Sequence, residues 1–329
     1  MRTLAAAVAL ALATAGDGGE SHLLVIAGLG GEAKYRDAFH EWASTMVEAA
    51  GTHGVPAENV TYLGERPERD PALIDGPSTK VSIEKALEVL SGRLGPGDSL
   101  LVLLLGHGSF QAGESRFNLP GPDLGAAELA RLLDRLPAAR VAVVNAASAS
   151  GEFAKALGGR DRIVVTATKS GMERNETVFG RYFVEAFAGD GADADKDGRV
   201  SVLEAFEYAR RRVGRFYEAE NRLLTEHAVL EDSGDGVGSA APEPAGGDGA
   251  RARTFFLGAP AGAASTTAGD PRVVALEAER AAVQERLEDL KGRKESMDGA
   301  AYEAELESLL VELAEKDQEI RRLAGGGQR

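Results

Sequence analysis

The chain has 329 residues, enough for one sizeable core with additions, and a formal net charge of −15. An acidic surface repels phosphates, which excludes nucleic acid as the expected partner and favours cations. There is no cysteine, so disulfides, thiolate metal sites and a cysteine nucleophile are excluded.

Met1-Arg2-Thr3 precedes an apolar run over residues 4–12, followed by Ala13-Thr14-Ala15 and a glycine-rich stretch. A positive start, a short apolar run and a small-x-small site have the order of a secretory signal over residues 1–15. The run is too short to span a bilayer, and no other segment approaches a span. No cysteine follows it, which excludes a lipoprotein anchor. The expectation is an exported protein, periplasmic or secreted, with no membrane span.

Strands and helices alternate from residue 22 onward. Residues 22–27 are an apolar run ending in Gly28-Leu29-Gly30-Gly31. Residues 32–50 have helical spacing, with Tyr35, Phe39, Trp42 and Met46 on one face. A strand is expected at 59–63 and a helix at 82–94, capped by Ser82. Strands at 99–105, 140–145 and 162–166 are separated by helices at 123–136 and 152–157, the second capped by Ser150. Such alternation, with nearly continuous apolar strands, predicts an α/β fold: a mostly parallel sheet with helices on both faces. Residues 237–252 read as a mobile loop, 254–257 as a returning edge strand, and 259–271 as a small-residue linker closing a domain over 20–258.

The region after the linker changes character. Leu276, Val283, Leu290 and Met297 recur every seven residues, with Val273 and Leu287 between them. Tyr302, Leu306, Leu309, Leu313, Ile320 and Leu323 continue on spacings of three and four, a coiled-coil pattern. Asp298-Gly299 interrupts it, which predicts an antiparallel helical hairpin over 272–324 rather than one rod. Arg280, Lys294 and Lys316 at seam positions weaken it. Its expected use is self-association as a homo-oligomer, or binding of a partner.

Asp193-Ala194-Asp195-Lys196-Asp197-Gly198-Arg199-Val200-Ser201-Val202-Leu203-Glu204 fits the EF-hand calcium-loop pattern. Asp193, Asp195 and Asp197 supply oxygens at alternate positions, so the chain can wrap one ion. Gly198 permits the sharp turn, and the Arg199 carbonyl is the expected backbone ligand. Ser201 acts directly or through water, and Glu204 closes the site with two oxygens. Val200 packs the loop, and helices are expected on both sides, at 178–188 and 202–212. Hard oxygen ligands imply calcium. A partial echo, Glu231-Asp232-Ser233-Gly234-Asp235-Gly236, has Pro242 where a closing Glu belongs and reads as a turn.

Two strand ends carry the remaining chemistry. Leu105-Gly106-His107-Gly108 places a lone histidine between glycines, which allow a substrate backbone to approach closely. A free Gly108 N–H suits an oxyanion. Asn145-Ala146-Ala147-Ser148-Ala149-Ser150-Gly151 places Ser148 where a nucleophile belongs.

Three ordered blocks resemble the legumain-type (asparaginyl endopeptidase) peptidases, which have a caspase-like fold. They are Ala27-Gly28-Leu29-Gly30-Gly31 with Lys34-Tyr35-Arg36, the strand ending in His107-Gly108, and Ala146 to Gly151. The resemblance spans roughly residues 22–230. It implies that His107 is the catalytic histidine, that the N–H groups of Gly108 and residue 148 form the oxyanion hole, and that Arg36 lines the specificity pocket. Ser148 stands where that family has its cysteine, Lys34 where it has the asparagine that orients the histidine, and Ala146 where it has a pocket acid. A serine needs a base within about 3 Å, usually oriented by a third group. Two readings follow. One is a calcium-binding peptidase homologue with a degenerate site and a cleft that still binds a peptide or protein. The other is an active endopeptidase using a Ser148/His107 dyad.

Overall fold

The computed structural model describes residues 19–258 except 138, 160, 161 and 190, and beyond them residue 272, several positions between 276 and 290, and residues 297–325. The expected signal segment and linker lie outside the described residues.

In chain order come β1 (Ser21–Ala27), α1 (Ala33–Thr52), β2 (Val60–Gly64), β3 (Gly76–Pro77), α2 (Lys80–Arg93) and β4 (Ser99–Leu105). A small antiparallel sheet follows, made of β5 (Gly108–Gln111), β6 (Glu114–Phe117) and β7 (Leu124–Gly125). Then come α3 (Ala126–Leu133), β8 (Arg140–Asn145), α4 (Glu152–Leu157), β9 (Arg162–Thr166), α5 (Phe179–Ala188), α6 (Val202–Ala219) and β10 (Val229–Glu231). The main sheet has seven strands in the order β10-β9-β8-β4-β1-β2-β3, parallel except for β10. Residues 254–257 are not the edge strand; Val229–Glu231 takes that place, and among the described residues the later segment forms the bridge Ser201↔Phe256 instead.

The strands are apolar on both faces because both faces are covered. Leu23, Val25, Leu101, Leu103, Val144 and Val165 pack under α1, α5 and α6. Their neighbours Leu24, Ile26, Val102, Leu104, Val143 and Val164 pack under α2, α3 and α4. The period-two alternation thus sends successive side chains to two separate cores.

Helix ends differ from the sequence expectation in two places. The cap of α2 is Thr79, whose hydroxyl accepts from the Ser82 N–H at 3.3 Å. Ser150 does not cap α4; its hydroxyl pairs with Thr168 Oγ1 at 3.1 Å.

A last helix, α7 (Gly299–Gly325), follows. Leu309 on it is buried with Val283, Leu287 and Leu290, and Met297, Tyr302, Leu306 and Leu313 pack around them. Arg286–Glu312 at 3.1 Å and Lys316–Glu279 at 2.7 Å pair the two stretches. Among the described residues no helix is long and apolar enough to cross a membrane.

Candidate functional site

The chain leaves β1 toward β2 on one side and returns to β4 on the other. This creates a crevice at the carboxyl ends of β1 and β4, where open α/β sheets place their ligands. Gly28 N–H donates to Leu105 C=O at 2.9 Å and Ala146 N–H to Leu104 C=O at 2.9 Å, which draws the three strand ends together. His107 and Ser148 therefore lie at one crevice, with Arg36 beside it.

The His107 ring sits edge-on to Tyr35 (centroids 4.5 Å apart) and Phe39 (5.1 Å). Burial pushes its pKa below the ordinary imidazole range, and the nearby Glu176 and Glu32 carboxylates and the Gly30 backbone oppose that shift. The imidazole is thus favoured neutral near pH 7, with the Gly30 backbone as its hydrogen-bond partner. The Lys34 charge adds a small push in the same direction as burial. The ammonium lies 4.4 Å above the Tyr35 ring and 3.8 Å from Glu32.

Ser148 is buried, at 4 % exposure. Its Oγ accepts from the Gly108 N–H at 3.2 Å and donates to the Gly108 C=O at 3.3 Å. Asn118 N–H takes the His107 carbonyl at 3.0 Å, so in this register Gly108 turns both of its backbone groups away from β6 and toward Ser148. Among the described residues no hydrogen bond joins Ser148 to the His107 ring. The Gly108 N–H expected at an oxyanion is occupied by the hydroxyl itself.

The two glycines around His107 answer to packing inside the chain. A Cβ on Gly108 would lie 2.2 Å from the Ser148 carbonyl oxygen, and one on Gly106 would lie 2.9 Å from the Phe117 ring. Arg36 lines a cavity of about 300 Å³ with His40, Tyr62, Glu65, Arg66 and Arg69, and its guanidinium donates to the Gly31 carbonyl. Phe39 belongs both to this cavity and to the wall of His107. Ala146 is buried, and its carbonyl accepts from Thr177 Oγ1 at 2.6 Å.

Residues 167–178 bring in groups that sequence reasoning missed. Tyr35 donates to Glu176 across the crevice. The Glu173 carboxylate holds His227 Nδ1 at 2.6 Å and the Lys169 N–H at 3.1 Å, while its backbone carbonyl takes the Ala149 N–H at 2.7 Å. Ala149 has a positive φ of 53°, so this bond steadies an unfavourable turn directly after Ser148. Glu226 accepts from the first N–H groups at the start of α5, and burial raises its pKa to about 7. Apart from the Glu173–Lys169 bond, these pairs leave no local pattern, because they join segments far apart in sequence.

The acidic loop joins α5 to α6. One carboxylate oxygen from each of Asp193, Asp195 and Asp197 lies within 4.8 Å of the others. Gly198 has φ 86° and its N–H donates to Asp193 Oδ2 at 3.0 Å, closing the turn. Glu204 spans the loop: Oε1 accepts from Ala194 N–H and Oε2 from Ser201 N–H, each at 2.9 Å. Ser201 and Glu204 also form the capping box of α6. Burial raises the Asp197 pKa to about 6, with Asp195 and Glu204 adding to the shift. Asp193 Oδ1 is buried without a hydrogen-bond partner. Clustered carboxylates with an unsatisfied buried oxygen fit a hard cation.

The echo at 231–236 differs. Asp232 spends its carboxylate on the N–H groups of Gly249, Arg251 and Ala252 at 2.6, 2.9 and 2.8 Å. It is an anchor that ties down residues 248–252, which were expected to be a mobile loop.

No protein-family model matches the chain. Comparison with curated proteins likewise gives no match.

Proposed function

We propose that this is an exported, calcium-binding homologue of the legumain-type peptidases, of caspase-like fold, with a degenerate peptidase site. The crevice at β1 and β4 keeps a peptide or protein ligand without cleaving it. The EF-hand loop, filled by calcium through Asp193, Asp195, Asp197, Arg199, Ser201 and Glu204, braces α5 against α6. The helices around Leu290 and Leu309 act as an antiparallel hairpin that recruits a second copy or a partner.

The observation that carries this reading is the position of the Ser148 hydroxyl. Its hydrogen bonds go to the Gly108 backbone at 3.2 and 3.3 Å. A serine without a bonded base remains protonated and is a poor nucleophile. Calcium is supported by the loop spacing and by the unsatisfied Asp193 Oδ1.

One observation favours the other reading, an active Ser148/His107 endopeptidase: the lowered pKa of His107 keeps it in the basic form. Treatment with a fluorophosphonate in the presence of calcium separates the two. The expected result is no labelling of Ser148 and no cleavage across a broad peptide library. Labelling at Ser148 with matching cleavage overturns the degenerate reading.

A further inference from the structure

The calcium loop is met along one edge by the segment that closes the domain. Val202 N–H donates to the Phe255 carbonyl at 2.9 Å, and Ser201 forms an antiparallel bridge with Phe256. The Arg199 guanidinium lies 3.5 Å above the Phe256 ring centroid. The segment is itself firmly held. Phe255 and Leu257 are buried, and Arg140 reaches Thr254 Oγ1 at 2.8 Å. Gly258 donates to Ser21 Oγ at 3.2 Å, and a Cβ on it would lie 1.9 Å from the His53 carbonyl oxygen.

These contacts fall on two of the expected ligand positions, Arg199 and Ser201, the second also held by Glu204 in the capping box of α6. Arg199 is to offer its backbone carbonyl, while its guanidinium both stacks on Phe256 and pairs through Nε with Asp197 Oδ2 at 3.9 Å. Ser201 is to offer an oxygen directly or through water. Val200, between them, is buried. We propose that Phe256 is a positioning residue for calcium. Its ring fixes Arg199, and its backbone fixes Ser201, so that both face the three aspartates before the ion arrives. Linkage makes the effect reciprocal: calcium tightens residues 252–258 by the factor that those residues contribute to its affinity.

The inference rests on the calcium reading above, and calorimetry with calcium chloride on the full chain separates the two. Phe256→Ala is expected to weaken calcium binding roughly three- to tenfold, the range of a partly desolvated cation–π contact. Phe256→Tyr, which keeps the ring, restores it. Arg199→Ala keeps the backbone carbonyl but also frees Asp197 of its cation, so its loss is expected to be smaller than that of Phe256→Ala. The double variant is expected to be no weaker than either single one, because the pair acts as a unit. Hydrogen exchange at the Val202 amide and across 252–258 is expected to slow when calcium is added. Equal affinity in wild type and Phe256→Ala, or exchange at 252–258 that ignores bound calcium, overturns the inference alone. Absence of calcium binding by the wild type overturns the calcium reading and this inference together. If Phe256→Ala unfolds by circular dichroism, Phe256→Leu, which keeps apolar bulk and loses the ring, decides the matter by the same criterion.

Discussion

The crevice at the ends of β1 and β4 and the loop at 193–204 are both clusters of polar groups, and they treat their hydrogen bonds in opposite ways. In the crevice the two hydroxyls are satisfied within the chain, Ser148 Oγ by both Gly108 backbone groups and Tyr35 by Glu176, and the unpartnered buried atoms nearby are the neutral Ser109 Oγ, Asn118 Oδ1 and Asn145 Nδ2. In the loop the carboxylates also cap the backbone, yet Asp193 Oδ1 remains buried and unpartnered, and Asp197 titrates near 6. A hydroxyl already bonded within the chain has little to gain from a ligand that replaces those bonds. A crowded anionic cluster with a spare buried oxygen gains a great deal from a cation.

The largest expected effect strikes the crevice. Gly108→Ala sets a methyl 2.2 Å from the Ser148 carbonyl oxygen and 3.0 Å from that of Arg116, both backbone atoms. Neither can move without shifting a strand end, so the fold is expected to lose about 3 kcal/mol or more, read as a fall in thermal midpoint. A midpoint near that of the wild type would mean that the strand ends are looser than their contacts imply. Next comes the loop. Chelation of calcium, from a concentration a hundredfold above Kd, is expected to remove about 2.7 kcal/mol of stability. Asp193→Asn is expected to erase that calcium dependence. If chelator leaves the melting curve unmoved, the contrast between the two regions fails at its stronger end.

Much of this was legible in the sequence where the signal is local. The apolar runs at 99–105 and 140–145 could only be strands covered on both faces, and the loop spacing needs no distant residue to define it. What was hidden was long-range. The glycines beside His107 read as room for a substrate, whereas the Phe117 ring and the Ser148 backbone fill that room. Phe117 lies on a small antiparallel sheet that no periodicity announced, since its strands are only two to four residues long. The edge strand was misplaced for a related reason. Residues 254–257 are apolar because Phe255 and Leu257 are buried, and they contact the acidic loop at 193–204 rather than the sheet edge.

Glu226 and His227 are neighbours in sequence with different partners, one holding the start of α5 and the other bonded to Glu173, whose carbonyl takes the Ala149 N–H. The Glu226 carboxyl is raised from 4.5 to about 7, chiefly by burial, so the native state keeps a proton that the unfolded chain has lost between those values. Stability from this group is therefore full below about pH 4.5 and lost as pH rises through 7. Glu226→Gln removes the titration. Between pH 5 and 8 the wild type is expected to lose on the order of 2 kcal/mol relative to that variant, measured by urea unfolding at several pH values. Parallel pH profiles in the two proteins would place Glu226 in a wetter environment than its contacts imply.

The smallest expected effect is the sharpest test of the crevice. Ser148→Ala removes one acceptor and one donor, both in long hydrogen bonds, and leaves the Gly108 N–H to find water. The expected cost is about 1 kcal/mol, with calcium affinity unchanged. Ser148→Cys asks whether only the reacting atom is missing. A thiol at this position still faces Gly108, and burial away from a cation or a bonded base holds the thiolate fraction low. Slow alkylation by iodoacetamide and no peptide cleavage are therefore expected. Rapid alkylation together with cleavage would show that the crevice keeps a working base and oxyanion hole. The self-satisfied hydroxyl would then be a consequence of the substitution and not of the fold, because sulfur hydrogen-bonds too weakly to stay with Gly108 when His107 is within reach.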